Sequence, residues 1–142
     1  MEAENRIAIE SDADVVTARQ RARELAADLD LSSTDQTLLA TAISEVARNI
    51  TTYAKRGEVR LRIVRDGDGR EGIEVVASDR GPGIPDIERA LQDGYTTGGG
   101  LGLGLPGARR LVDEFGIESA PSQGTTVTLV KWARRVPRGV RA

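Results

Sequence analysis

The hydrophobic period changes abruptly at Gly57, and that switch limits the architectures open to this chain more than any other feature. On its N-terminal side Leu39, Ile43, Val46, Ala47, Ile50 and Ala54 recur three or four residues apart, the stripe of an amphipathic helix. On its C-terminal side Val59, Leu61 and Ile63 alternate with polar residues, the pattern of a strand buried on one face. A helix with one apolar stripe and a strand with one apolar face each need a cover, and packing the helix on the sheet satisfies both. Alternation stops at Asp66, Gly67, Asp68 and Gly69 and resumes from Ile73 to Ser78, which predicts a β-hairpin with Glu58 to Arg65 as its first strand.

The flanking sequence extends this pattern. Arg6 to Glu10 alternates like a short strand, and Ser11 or Asp12 then caps a helix with apolar positions Val15, Ala18, Ala22, Leu25 and Leu29. Ser33 and Gln36 have the spacing of a capping box for the second helix, with Gly57 as its stop. After the hairpin come a Pro/Gly loop, a short helix near Asp86 to Gln92, and a glycine run. Leu105 to Phe115 is expected to be helical, with Pro106 tolerated in the first turn and Gly116 as the stop. Strands near Ile117 to Ala120 and Thr125 to Trp132 close the chain around a tight turn at Ser122 to Gly124. The order βααββααββ predicts an α+β two-layer sandwich, a mixed and largely antiparallel sheet with helices on one face. A length of 142 residues, with 39% hydrophobic and 30% charged, fits one ordered domain, expected over residues 1–132. Residues 133–142, with Arg134, Arg135, Arg138 and Arg141, read as a basic, flexible tail.

Composition removes several functions. A formal net charge of −2 supplies no field for polyanions, so neither nucleic acid nor an anionic membrane is an expected partner. The absence of cysteine excludes disulfides and thiolate chemistry. The absence of histidine leaves carboxylates, Lys or Tyr as acid or base, and excludes a phosphohistidine acceptor on these residues. No apolar run has the length of a signal peptide core or a bilayer span, which gives a cytoplasmic expectation.

Three elements carry chemistry. Glu45 and Asn49, four apart on the second helix, emerge as neighbours at the margin of its apolar stripe. An amide oxygen suits Mg²⁺ beside phosphate and water, and a carboxylate can take a proton from an attacking hydroxyl. The same pair also fits a solvated helix margin. Asp79, at a strand end before Arg80, Gly81, Pro82, Gly83 and Ile84, can accept a hydrogen bond from an adenine amine, with the glycines allowing close backbone approach. An ordinary strand-to-helix turn has that composition too. Finally, Gly98, Gly99, Gly100, Gly102, Gly104 and Gly107 precede a helix, an arrangement whose free N–H groups cup phosphate oxygens. A Walker A loop is excluded, since neither Lys55 nor Lys131 lies in a Gly-Lys-Ser/Thr sequence. Gly102, Gly104 and Gly107 match the dinucleotide pattern GxGxxG, but no buried strand leads directly into it.

In this order the segments EVARN (Glu45 to Asn49), DRGPG (Asp79 to Gly83) and GGGLGLG (Gly98 to Gly104) resemble the N, G1 and G2 boxes of the GHKL superfamily of Bergerat-fold ATPases. GTTV, Gly124 to Val127, is similar to its closing motif. The resemblance implies ATP and Mg²⁺, with Glu45 as base, Asn49 on Mg²⁺ and Asp79 on adenine. It also implies that Gly81, Gly83 and Ile84 line the nucleotide, that Gly98, Gly99, Gly100, Leu101, Gly102, Leu103 and Gly104 hold phosphates, and that Thr125 supports Asp79. The stretch between Ile84 and Gly98 would be the ATP lid. Within the superfamily, AISEVARNI, DRGPGIPDI, GGLGLGLPG and GTTVTLVKW look like the anti-sigma and RsbT-type switch serine/threonine kinases of bacterial stress signalling. Such kinases phosphorylate STAS-domain scaffold proteins (RsbS/RsbR-like) of the stressosome and then leave to activate a PP2C-type phosphatase (RsbU-like). Two alternatives stay open: an anti-sigma factor that sequesters an RNA polymerase sigma subunit, and a dinucleotide-dependent oxidoreductase.

Overall fold

The period switch at Gly57 is where a long helix gives way to the hairpin at the middle of the sheet. The computed structural model describes residues 5–84 and 104–133. In chain order these form β1 (Asn5–Ile9), α1 (Asp12–Ala26), α2 (Ser33–Tyr53), β2 (Gly57–Arg65), β3 (Glu71–Asp79), α3 (Gly104–Leu111), β4 (Glu114–Ala120) and β5 (Gly124–Trp132). The strands lie in the order β1-β2-β3-β5-β4 with every pairing antiparallel. Periodicity does not encode strand direction, so the part of the sheet left open as mixed is resolved here by register. The expected helix near Asp86 to Gln92 and residues 134–142 of the expected tail lie outside the described residues, whereas Ala133, expected to begin that tail, is buried and donates its N–H to the Glu71 carbonyl at 2.7 Å.

Hairpin and helices form for local reasons. Asp66 Oδ1 accepts hydrogen bonds from the backbone N–H groups of Asp68 and Arg70, both at 2.9 Å, and Gly69 takes φ +83°, so the turn is built from its own side chain. At the start of α1, Asp14 Oδ2 accepts from Ser11 N at 3.1 Å and Glu10 N at 2.8 Å. The cap of α2 falls one residue earlier than its sequence spacing indicates. Ser32 is the N-cap and accepts from Asp35 N at 3.0 Å, while Ser33 is already helical and Gln36 Nε2 reaches back to the Leu31 carbonyl at 3.1 Å.

Two helix ends also differ from expectation. α2 ends at Tyr53 and the chain reverses through Lys55 at φ +74°, so Gly57 is not the stop but the first residue of β2. A Cβ there would lie 2.4 Å from the Ser78 carbonyl oxygen and 2.9 Å from Ile50 Cγ2. α3 ends at Leu111, four residues before Phe115, and Phe115 and Gly116 pair with Leu129 and Thr128 in β4. Pairing wins because β5 offers an open edge: Asp113 N donates to the Val130 carbonyl at 2.9 Å just where the helix would continue.

Helices cover one face of the sheet. The core between the layers holds Ile9, Leu39, Ile43, Ile50, Leu61, Ile73 and Leu129, all fully buried. The other face is solvated and carries the cross-strand pair Arg62–Glu74 at 2.7 Å, while Arg65–Glu71 at 2.8 Å closes the hairpin beyond the edge of the core. Burial dominates this balance, because an exposed pair contributes about 0–1 kcal/mol and a buried isoleucine several times that. Ile43→Ala is expected to cost ~2–5 kcal/mol in a denaturant titration. Arg62→Ala, at a side chain 52% exposed, is expected to cost under ~1 kcal/mol in the same experiment.

Candidate functional site

Two clusters of polar groups lie along α2, one against its middle and the other where its end reaches the end of β3. The first is carried by α2. Glu45 and Asn49 sit one turn apart, both half-buried, flanked by the buried Ser44, Val46, Ala47 and Ile50. Only 10% of the Glu45 side chain is exposed. Its Oε1 accepts from Gly104 N at 3.0 Å, and Oε2 lies 3.4 Å from Arg48 Nη1. Gly104 is the first residue of α3 and takes φ +62°. A carboxylate therefore rests against the positive end of that helix, where a negative charge is favoured. That spot suits any anion that could replace it.

The second cluster surrounds Asp79, the last residue of β3, which is paired with Thr125 of β5. Asp79 Oδ1 accepts from Gly81 N at 2.8 Å and from Thr125 N at 3.3 Å, so one carboxylate oxygen is fixed by two backbone donors. Gly81 and Gly83 are each required by the protein itself. A Cβ on Gly81 would lie 2.6 Å from Ala54 Cβ, and one on Gly83, at φ +81°, would lie 2.1 Å from the Ala120 carbonyl oxygen. Gly124, at φ +87°, would put a Cβ 2.1 Å from the Asp79 carbonyl oxygen. The aspartate loop, the end of α2 and the β4–β5 turn thus touch without intervening side chains.

Ser119 ties this cluster together, and nothing beside it in the chain marks it. Its Oγ accepts from Ile84 N at 2.7 Å, donates to the Gly124 carbonyl at 3.1 Å and lies 2.8 Å from Thr125 Oγ1. With its one hydrogen on Gly124, Ser119 is left to accept from the Thr125 hydroxyl. Thr125 itself is buried, 6% exposed. Ser119 stands directly opposite Thr125 in the β4–β5 register, and only that register could have revealed the pair.

Of the residues singled out from sequence, Glu45 and Gly104 come together, as do Asp79, Gly81, Gly83, Ile84 and Thr125, with Asn49 on the helix between the clusters. Gly98, Gly99, Gly100, Leu101, Gly102 and Leu103 lie outside the described residues. Among the described residues no group of three or more His, Cys, Asp or Glu is placed to hold a metal ion. An ion bound there would need ligands from a phosphate, which is how Mg²⁺ commonly binds.

Residues 34–135 match the family described as histidine kinase-, DNA gyrase B-, and HSP90-like ATPase. The chain is 47% identical over 121 residues to the serine/threonine-protein kinase RsbT of Bacillus subtilis, covering 85% of this chain and 90% of that one. It is 32% identical over 123 residues to the anti-sigma F factor of Caldanaerobacter subterraneus subsp. tengcongensis, covering 83% and 85%. The crystal structure of the RsbU and RsbW domains of Rv1364c from Mycobacterium tuberculosis shares the fold with a TM-score of 0.60 at 24% identity, over 95% of this chain and 33% of that one. With the family's match spanning α2 to β5, where both clusters lie, the chain belongs to the histidine kinase-, DNA gyrase B- and HSP90-like (GHKL) ATPases, in the group that holds RsbT and the anti-sigma F factors.

Proposed function

We propose that this chain is an ATP-dependent protein-serine/threonine kinase of bacterial stress signalling, acting on STAS-domain proteins (RsbS/RsbR-like) and then released to activate a PP2C-type (RsbU-like) phosphatase. The enzyme class follows the RsbT relative, whose name is that of a serine/threonine-protein kinase. The observation that carries the reading is the arrangement of two carboxylates on one frame. Asp79 is fixed through Oδ1 by backbone N–H groups, and Glu45 sits at the start of the helix that follows the glycine run. The oxidoreductase alternative loses its support, since the matched family is an ATPase family.

In this reading the unshared oxygen of Asp79 accepts the exocyclic amine of adenine. A carboxylate only accepts, so it favours adenine over a base with a carbonyl at that place. Thr125 and Ser119 hold the aspartate's surroundings, and Gly81, Gly83 and Ile84 line the same end. The phosphates lie along Gly98 to Gly104. Asn49 offers an amide oxygen to Mg²⁺, which neutralises phosphate charge when bound. The acceptor hydroxyl of the partner attacks the γ-phosphorus, the bond to the ADP oxygen breaks, and the hydroxyl proton passes to Glu45. Because Glu45 is held by Gly104 N here, it is freed for that role when phosphate oxygens take over the amide. The acceptor is on another protein, and this sequence has no histidine to serve as a phosphohistidine. Residues 1–132 act as one domain, in the cytoplasm, with no nucleic-acid partner. No described helix is long and apolar enough to cross a membrane.

The 32% identity to an anti-sigma F factor supports a second reading, sequestration of a sigma subunit. Pull-down with sigma subunits and STAS proteins separates the two: stable, ADP-dependent capture of a sigma subunit with no STAS phosphorylation would establish the second. For the kinase, incubation with Mg-ATP and STAS proteins is expected to give phosphoserine or phosphothreonine by mass spectrometry. Asp79→Asn is expected to abolish ATP binding in calorimetry. Glu45→Ala is expected to keep binding within a few-fold and to lose phosphoryl transfer by about 10²–10⁴-fold. Equal loss of binding in both variants would refute the division of roles.

A further inference from the structure

α3 has little apolar bulk with which to fix its own position. Its buried residues are Leu105, Pro106, Gly107 and Ala108, with Leu111 partly buried against the core, so two leucines locate a helix about 12 Å long. Polar contacts hold both its ends instead. At the first residue Glu45 accepts the Gly104 N–H. At the last, Lys131 Nζ donates to the Leu111 carbonyl at 3.2 Å. Lys131 comes from β5, is only 8% exposed, and faces the helix layer on the side of Leu129. Its ammonium also lies 3.7 Å from Asp35 Oδ1, in the first turn of α2, and 3.8 Å from Asp113 Oδ1, just after α3. One cation therefore joins the start of α2, the end of α3 and the last strand, at the opposite end of both helices from Glu45 and Gly104.

Stability alone explains this lysine poorly. An interior ion pair is offset by the cost of desolvating its charges, and replacement by an apolar side chain of similar size is often neutral. What an apolar chain cannot do is cap the α3 carbonyl and set where along α2 the helix rests. We infer that Lys131 is a positioning residue for the phosphate end of the nucleotide site, acting through α3 to place the Gly104 amide. The inference rests on the nucleotide reading above. It separates the ends of the ligand, because Asp79 and Thr125 are held by β3, β5 and Ser119.

The test is calorimetric titration of wild-type and Lys131→Met protein with Mg-ATP and, separately, with adenosine, after a thermal melt shows that the variant folds. The expected result is a Kd for Mg-ATP raised about ten-fold with adenosine unchanged within about two-fold, the loss that a small misplacement of phosphate-binding groups gives. Equal weakening of both ligands, or of neither, would overturn the inference, since a general structural role moves them together. Should Lys131→Met fail to fold, Lys131→Gln, which keeps a shorter polar side chain, is read by the same ratio. Wild-type protein that binds neither ligand would overturn the nucleotide reading itself, and wild-type binding with an unaltered ratio in the variant would overturn only the role of Lys131.

Discussion

The last turns of α2 press against the end of β3 more closely than side chains at positions 57 and 81 allow. Gly57 admits Ile50 and the Ser78 carbonyl, and Gly81 admits Ala54. A methyl group at either place would stand the helix off the sheet, and packing at interior density leaves nowhere for it to go. The rest of the site follows from this contact. It brings a helix-borne acid and amide, Glu45 and Asn49, to the end of the sheet where Asp79 emerges. The second layer of the sandwich is thus the wall of the site as well as the cover of the core.

Polar groups in that wall are held by backbone more than by other side chains. Asp79 leans on two N–H groups, Ser119 on an N–H and a carbonyl, and Glu45 on the opening amide of a helix. Backbone donors are set by the fold and cannot swing away, so the carboxylates are oriented before any ligand arrives, which is the arrangement electrostatic recognition favours. By contrast, the Arg62–Glu74 pair on the open face of the sheet joins long side chains and contributes little to the fold.

Features set within a few residues were legible in the sequence. The hairpin turn at Asp66, the apolar stripe of α2 and the glycines flanking Asp79 each carry their cause beside them. What escaped notice depends on residues far along the chain. Ser119 matters because Thr125 is its register partner and Ile84 lies 35 positions away, and Lys131 matters because Leu111 and Asp35 fold onto it. The end of α3 was misjudged for the same reason: apolar spacing from Leu105 to Phe115 is compatible with a helix, but the free edge of β5 captures the chain at Asp113. Gly57 does mark the boundary between helix and strand, but the reversal that ends α2 falls on Lys55.

Strand order also has a temporal side. β3 pairs with β2, its near neighbour in sequence, and with β5, whose Thr125 lies 46 positions beyond Asp79. Loop closure makes the near pairing the faster one. On the ribosome the hairpin can therefore zip while half of the aspartate's surroundings is still untranslated, and until the final strand emerges the nascent chain owns an acidic residue with no pocket around it. The frame around that aspartate is among the last parts of the fold to be completed as the chain is made.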